Sequence, residues 1–312
     1  MNQARLNIVY CNPKMRRRYE VWFVRCGLAD DGGAWWFRYL LVNKYRFKPD
    51  ALSRRLFQVW VTWFPKNSVP QSFIVDIPAD QVSLSPPGNV PFHFRAAENG
   101  IEESRCWGNL RAGGHHIRWN LRIHSHFGMK LSDKGWIGFS RSPHSDAVFS
   151  GEIEFDGQKF SGEPLGYGVQ GHNCGYRHRS YWRWMHACFP QSGGASTLEA
   201  LVYDMPLGLV FRNVVWWHGG KAHSVGKIKE LEIVRTADQL RWKLSGNLKD
   251  GSSIEALIEG SAPGIHVLPY TKTDWSGTFP VSNASLARAL VKLGSGETLE
   301  TQTGAVLEMG GA

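Results

Sequence analysis

The sequence lacks the long hydrophobic segments that would place it in a membrane. No run of about 18 apolar residues, the length that a membrane-spanning helix needs, occurs in its 312 residues. The first 20 residues carry scattered Arg and Lys but no apolar stretch, so no signal peptide is expected. These two absences predict a cytoplasmic protein with no transmembrane segment.

Cysteine is also scarce. The 5 cysteines are odd in number and include no CxxC pair, which argues against a zinc ribbon, a redox dithiol and a disulfide scaffold. We therefore expect free thiols. His124 and His126 have the H-x-H spacing of cupin metal ligands, but Met129 and Lys130 stand where the cupin pattern needs Glu. No metal site is predicted.

The motifs of nucleotide-dependent enzymes and serine hydrolases are missing as well. There is no P-loop, no G-x-G-x-x-G after a strand, no H-E-x-x-H and no G-x-S-x-G, and no cofactor is predicted. The net charge of +9 comes from basic residues spread along the chain, without a nucleic-acid-binding motif. We expect no nucleic-acid partner, and a mildly anionic ligand or a membrane surface is a secondary expectation.

Alternating apolar and polar residues predict a protein built from β-strands. The runs Tyr19–Cys26 and Ala34–Val42 flank the Asp- and Gly-rich turn Ala29–Gly33 and predict a β-hairpin. Further short runs of this kind occur in both halves of the chain, which favours an all-β fold with two sandwiches or barrels. The Gly-rich stretch Ser161–Gly175 is the candidate seam, and domains are predicted at residues 1–165 and 166–312.

Helical periodicity is rare. The segment Asn283–Leu293 has apolar residues on one face, an Asn as its N-cap and Gly294 as its stop, so it predicts a short C-terminal helix. Pro49–Leu56 is a weaker helix candidate.

The segment Gly166–Phe189 concentrates the residues suited to a ligand site. Glycines flank His172 and Asn173, so an unusual turn is expected there. One face of the strand that follows carries two indoles and an imidazole, those of Trp182, Trp184 and His186. Such a face suits an apolar ligand with one polar group. The alternative is a Trp-rich core with a hydrogen-bonded histidine.

Short motifs in the chain resemble those of the two-domain lipocalin-like superfamily. They are Glu20-Val21-Trp22, Phe37-Arg38, the junction residues Gly168, His172, Asn173 and Gly175, and the closing stretch Gly304–Gly310. The superfamily includes carotenoid 1,2-hydratase (hydroxyneurosporene synthase), tocopherol cyclase, AttH-like proteins and decalin-forming Diels–Alderases. The resemblance implies two tandem lipocalin-like antiparallel barrels, a fold that can enclose one small ligand.

One departure from the superfamily pattern concerns proton transfer. Gly171 occupies the position of an acidic residue that in the hydratases is the candidate for protonating an alkene. Such a step needs a carboxylic acid in a dry pocket. The acids that could replace it are Glu20, Glu163, Asp204 and Asp274.

We therefore predict that a β-barrel pocket binds an isoprenoid or polyketide-like molecule and promotes its cofactor-independent cyclisation or hydration. The catalytic candidates are His172 and Glu20. The substrate-binding candidates are Trp22, Arg38, Asn173, Trp182, Trp184 and His186. A non-catalytic carrier of hydrophobic metabolites is the alternative, and a purely structural junction motif is the third hypothesis. Because Glu20 and Arg38 occupy similar positions in the two hairpin strands, a structural ion pair between them is also expected.

Overall fold

The computed structural model describes residues 3–11, 15, 17–43, 55–176, 178, 181–191, 194–273 and 276–311. These residues form two antiparallel β-sheets, each curved into a closed or nearly closed barrel, and one short helix, α1 (Ala4–Asn7). The all-β prediction is therefore confirmed. Within the described part of the chain, no helix is both long enough and apolar enough to cross a membrane.

The first barrel is built from the strands that precede residue 176. They are β1 (Arg18–Leu28), β2 (Gly33–Asn43), β3 (Arg55–Pro65), β4 (Gln71–Ile77), β5 (Val82–Leu84), β6 (His93–Ala96), β7 (Asn99–Glu102), β8 (Arg105–Ala112), β9 (His115–His124), β10 (Met129–Asp133), β11 (Gly138–Phe155) and β12 (Gln158–Gly175). Their spatial order is β4-β3-β2-β1-β12-β11-β9-β8-β7-β6-β5, with β10 beside β11. Among these described strands no pairing joins β4 to β5, so the barrel stays open there.

The second barrel is built from the remaining strands. They are β13 (Tyr181–Gln191), β14 (Gly194–Asp204), β15 (Val210–His218), β16 (Lys221–Arg235), β17 (Gln239–Leu248), β18 (Ser253–Ser261), β19 (His266–Thr271), β20 (Thr278–Leu293) and β21 (Thr298–Gly311). Their order is β18-β17-β16-β15-β14-β13-β21-β20-β19, and β18 also pairs with β20. This additional pairing closes the barrel.

Strands β1 and β2 form the predicted hairpin, in which Trp22 lies opposite Tyr39 and Phe23 lies opposite Arg38. Successive side chains of a strand point to opposite faces, so Trp22 and Glu20 share the inner face of the barrel. Arg38 shares the outer face with Phe23. The predicted ion pair between Glu20 and Arg38 is therefore wrong, because the two side chains project from opposite faces of the sheet.

The interior of the first barrel is filled by a buried cluster of large side chains that includes Trp22 and Phe37. Residues 3–11, which we call the N-terminal plug, enter this interior, and Val9 and Cys11 belong to the same cluster. The second barrel has a separate core of its own. Buried side chains of the described residues thus pack together inside both barrels.

The predicted C-terminal helix at Asn283–Leu293 is wrong, because this segment is part of strand β20. Ala287, Ala289 and Val291 alternate as buried residues, as a strand requires. The pairing of β20 with β21 shifts register on both sides of Ala287. That irregularity breaks the period of two and leaves a spacing that imitates a helix. The weaker candidate, Pro49–Leu56, lies outside the described residues except where β3 begins.

The chain passes from one sheet to the other between Gly175 and Tyr181. The predicted seam Ser161–Gly175 is part of β12, a strand of the first barrel. The domain division at residues 165 and 166 stays a prediction.

Arg25 of β1 ties the outer faces of the two barrels together. Its fully buried guanidinium donates hydrogen bonds to the carbonyl oxygens of Ser285, at 2.6 Å, and Thr303, at 2.5 Å. Burial lowers the pKa of Arg25 to about 10, so the group remains charged at neutral pH. A charged donor thus satisfies carbonyl groups of β20 and β21 across the joint between the barrels.

Candidate functional site

A cavity of about 980 Å³ lies between the outer faces of the two barrels. Phe23 and Trp36 of the first barrel line it, as do Leu201 and Tyr203 of the second. Because other side chains fill the barrel interiors, the cavity belongs to the joint and not to one barrel, where the sequence led us to expect it. Its size and largely apolar walls suit one drug-sized molecule.

Arg38 brings a positive charge to the wall of this cavity. The residue is 3% exposed. Its guanidinium carbon lies 3.8 Å from the ring centre of Tyr270 and 4.5 Å from that of Trp60. These cation–π contacts stabilise the charge in aromatic surroundings. The buried Nη1 atom has no hydrogen-bond partner among the described residues.

Tyr270 also contacts Glu308, the buried acidic residue of the cavity wall. The Tyr270 hydroxyl donates to Oε2 of Glu308 at 2.6 Å, and the indole N–H of Trp182 donates to Oε1 at 3.4 Å. Burial raises the pKa of Tyr270 well above its ordinary value, so the phenol stays protonated and acts as a donor. Trp182, a substrate-binding candidate, thus lines the cavity and helps to fix its carboxylate.

His178 and Asn173 add neutral polar groups to the same wall. The His178 ring stacks on Tyr19, with ring centres 4.0 Å apart, and part of its surface faces the cavity. Burial, and then the charge of Arg38, lowers the pKa of His178 to about 3, so its ring is uncharged at neutral pH. The Oδ1 atom of Asn173 is buried without a partner among the described residues. Both side chains can therefore hydrogen-bond a ligand without adding charge.

The two catalytic candidates, His172 and Glu20, lie inside the first barrel and do not line the cavity. Nε2 of His172 is 2.9 Å from Oε1 of Glu20, and both side chains are fully buried. The carboxylate also accepts the backbone N–H groups of Tyr10 and Cys11, each at 2.7 Å. Nδ1 of His172 donates to the Leu6 carbonyl at 2.7 Å. The pair therefore fastens the N-terminal plug to β1 and β12.

Trp22 belongs to the same buried network. Its indole N–H donates to the carbonyl of Asn7 at 3.1 Å, and its ring stacks on His172 with centres 4.7 Å apart. The side-chain amides of Asn7 and Gln170 exchange two hydrogen bonds, of 3.1 and 2.9 Å. Trp22 therefore contacts the plug and not the cavity.

Trp184 and His186 share the outer face of β13 with Trp182, as alternation predicts. They lie within the joint and do not line the cavity. His186 Nε2 donates to the carbonyl of Ser145 in the first barrel at 2.7 Å. Burial lowers the pKa of His186 to about 3, so this ring is also neutral. The two residues connect the barrels.

A buried carboxyl group, Glu199, accompanies Trp184 in the joint. It accepts hydrogen bonds from the Trp184 indole at 2.9 Å and from the hydroxyls of Ser142 and Ser145 at 2.6 and 2.9 Å. Burial raises the pKa of Glu199 to about 7, although these hydrogen bonds oppose the shift. Glu199 thus titrates near neutrality, but it does not reach the cavity wall.

Within the described part of the chain, one group of three residues could hold a metal ion. The ligand atoms of Cys11, Glu20 and Cys174 lie within 4.8 Å of one another, and all three residues are buried. The two sulfur atoms are 3.7 Å apart. Burial, with further contributions from Cys174 and Glu20, raises the pKa of Cys11 well above its ordinary value. That thiol is therefore protonated, and both oxygens of Glu20 already accept hydrogen bonds.

The ring of Phe23 occupies the space beside Gly171, the position at which the superfamily pattern has an acidic residue. A Cβ atom added to Gly171 would lie 2.2 Å from Cζ of Phe23, so no larger side chain fits there while Phe23 keeps its place. Among the other candidate acids, Asp204 is exposed at the edge of the cavity and Glu163 is exposed on β12. Asp274 lies outside the described residues.

Three residues that converge on the cavity were not predicted from the sequence, namely Glu308, Tyr270 and His178. Glu308 interrupts the otherwise apolar run Ala305–Met309, and alternation places it on the outer face. This charge on an apolar strand was an available signal. Tyr270 had no such signal, because only the pairing of β19, β20 and β21 brings it to Glu308.

Neither a protein-family model nor a curated protein matches the chain, whereas solved structures do. A structure described as an AttH of Nitrosomonas europaea has 11% identity and a TM-score of 0.58, and the match covers 97% of this chain and 99% of that one. CghA with Sch210972 has 12% identity and a TM-score of 0.61, with coverage of 94% and 88%. A second CghA structure has 12% identity and a TM-score of 0.58, with coverage of 97% and 93%.

At these identities the likeness concerns the fold alone, and it spans nearly the whole chain in each case. The protein therefore has the two-barrel, lipocalin-like fold of these structures, which is the fold that its short sequence motifs predicted.

Proposed function

We propose that this protein binds a hydrophobic small molecule of isoprenoid or polyketide type between its barrels. The observation that carries the proposal is the cavity of about 980 Å³. Its walls are mainly apolar and aromatic, and a few polar side chains converge on it, which is the usual composition of a small-molecule site. The structure of CghA with Sch210972 supports the proposal, because it shows a protein of this fold in complex with a small molecule.

The proposed activity is a cofactor-independent cyclisation of the bound molecule. The aromatic walls formed by Phe23, Trp36 and Trp182 would restrict a flexible chain to a few folded conformations. Restricting a chain in this way brings reacting atoms together and lowers the entropic part of the barrier. Arg38, whose guanidinium lines the cavity, would stabilise negative charge that develops on the substrate.

Hydration, the other reaction expected from the sequence, is less well supported by the cavity wall. Protonation of an alkene needs a carboxylic acid that is free to donate its proton. The oxygens of Glu308 instead accept hydrogen bonds from Tyr270 and Trp182. The buried acids Glu20 and Glu199 lie away from the cavity. Because these acids are hydrogen-bonded or lie away from the cavity, a non-catalytic carrier is the second candidate function.

Native mass spectrometry of the purified protein, with organic extraction of co-purifying molecules, tests the binding proposal. A Leu201→Trp variant should lose the bound molecule, because the larger ring fills the cavity. Leu209→Trp is the matched control, since Leu209 is 58% exposed and its substitution leaves the cavity unchanged. An empty wild-type protein that also takes up no apolar fluorescent probe would overturn the proposal.

Turnover distinguishes the enzyme from the carrier. The extracted molecule, or an acyclic analogue, is incubated with the protein and with the Leu201→Trp variant. A cyclised product that accumulates only with the wild-type protein supports catalysis. Recovery of the ligand unchanged, at full occupancy of the site, would support the carrier.

A further inference from the structure

Arg38 is a buried charge that forms no ion pair with the described residues. It is 3% exposed, and its buried Nη1 atom has no hydrogen-bond partner among them. Buried charges in proteins are normally paired, because removing an ion from water is costly. The rings of Tyr270 and Trp60 recover part of this cost, but a ring face offers no acceptor to the N–H groups.

Arg25 is a second buried arginine, and the protein supplies hydrogen-bond acceptors for it. Its guanidinium is fully buried and donates to the carbonyl oxygens of Ser285 and Thr303. Arg25 lies in the joint away from the cavity wall, whereas Arg38 lines the cavity. Arg25, which has its own acceptors, is therefore structural. Arg38, whose Nη1 atom has no acceptor among the described residues, faces the space that a ligand would occupy.

The cavity wall carries two carboxyl side chains, the exposed Asp204 and the buried Glu308, and the described structure has no ion pair between either of them and Arg38. Glu308 is engaged by the Tyr270 hydroxyl at 2.6 Å and by the indole N–H of Trp182, and no ion pair joins it to Arg38 in the described structure. The neutral ring of His178 and the amide of Asn173 bring no charge to this wall. A ligand in the cavity can therefore supply the acceptor that the Arg38 Nη1 group lacks among the described residues.

We propose that the ligand is an apolar carboxylic acid whose carboxylate pairs with Arg38. The planar guanidinium offers N–H groups in a fork that matches the two oxygens of a carboxylate. The remainder of the molecule would lie against Phe23, Trp36 and Leu201, which line the same cavity. This inference rests on the proposed binding function and names the chemical class of the ligand.

Matched fluorescent probes test it, namely cis-parinaric acid, a polyene carboxylic acid, and its methyl ester. The ester keeps the apolar chain and removes only the negative charge. The wild-type protein should bind the acid at least about tenfold more tightly than the ester. Arg38→Gln should bring the two affinities together, and Arg38→Lys should restore part of the difference. Arg111→Gln, at an exposed position of β8, is the control and should leave both affinities unchanged.

The outcomes separate this inference from the proposed function. Equal affinities for the acid and the ester in the wild-type protein would overturn the carboxylate assignment and leave the apolar cavity as the binding site. Failure to bind either probe would overturn both. If Arg38→Gln fails to fold, equal affinities in the wild-type protein still overturn the assignment, because that comparison needs no variant, and Arg38→Lys tests the role of Arg38.

Discussion

Nε2 of His172 lies 2.9 Å from Oε1 of Glu20, and neither side chain has any solvent exposure. The other ring nitrogen of His172 donates to the carbonyl of Leu6. Both ring nitrogens of His172 therefore face oxygen atoms inside the first barrel. Two residues that looked catalytic in the sequence thus hold the N-terminal plug inside the first barrel.

Replacing Glu20 with Gln should lower the free energy of unfolding by about 2–4 kcal/mol. The amide keeps the size of the carboxylate, but its NH₂ group must face a backbone N–H donor, either that of Tyr10 or that of Cys11. Urea denaturation measures the change. Glu152→Gln, at an exposed position of β11, should change stability by less than about 0.5 kcal/mol. Loss of ligand binding at unchanged stability would contradict the structural role.

Glu199 should give the folded protein a stability component that declines as the pH rises. Burial raises its pKa from 4.5 to about 7 in the folded protein, so the folded state holds a proton that the unfolded chain has released. Stability therefore falls between about pH 4.5 and pH 7, by about 3 kcal/mol for this group alone. Glu199→Gln cannot titrate, so its stability relative to the wild type should rise by that amount across this window.

The comparison between variants is needed because a neighbouring group acts in the opposite direction. Burial lowers the pKa of His186 from 6.5 to about 3, so the folded protein gains stability as the unfolded chain loses its proton near pH 6.5. Denaturation curves of the wild type and Glu199→Gln from pH 4.5 to 8 cancel this shared contribution. A constant difference between the two proteins across that range would show that Glu199 does not titrate there.

Enlarging Gly171 should push Phe23 into the cavity. A Cβ atom at this position would lie 2.2 Å from Cζ of the Phe23 ring, and the ring lines the cavity. Gly171→Ala should destabilise the protein by about 1–3 kcal/mol and weaken the uptake of apolar probes. Combining it with Phe23→Ala should recover at least about 0.5 kcal/mol relative to the sum of the single changes. Strictly additive effects would mean that the two side chains do not compete for space.

The strands could be predicted from the sequence because their alternation is local. The hairpin of β1 and β2 and the shared face of Trp182 and Trp184 follow from residue order alone. The helix expected at Asn283–Leu293 fails for a reason that is not local, since the irregular pairing of β20 with β21 disturbs the alternation. A single sequence does not show where a strand changes its register.

The candidate site was harder to predict, because it forms where two barrels meet. Arg38, Trp182 and Asn173 line the cavity, as we expected of substrate-binding residues. His172 and Glu20 have the residue types of a catalytic pair, but their inward orientation places them in the first barrel. The docking of the two barrels decides whether a polar residue faces the cavity or a core. The spacing of residues in the sequence does not encode this docking.

Arg25→Met should loosen the joint between the barrels. Ser285 and Thr303 fall in the interval where the register of β20 and β21 is broken, and Arg25 donates to both carbonyls. Methionine keeps an apolar stem of similar shape but leaves these acceptors unsatisfied, at a cost of about 1–3 kcal/mol for each buried group. Hydrogen exchange of the backbone amides in β20 and β21 should accelerate, and urea denaturation should show a loss of about 3 kcal/mol or more. Arg122→Met, at an exposed position of β9, is the control, and equal effects from the two variants would mean that water can replace the guanidinium in the joint.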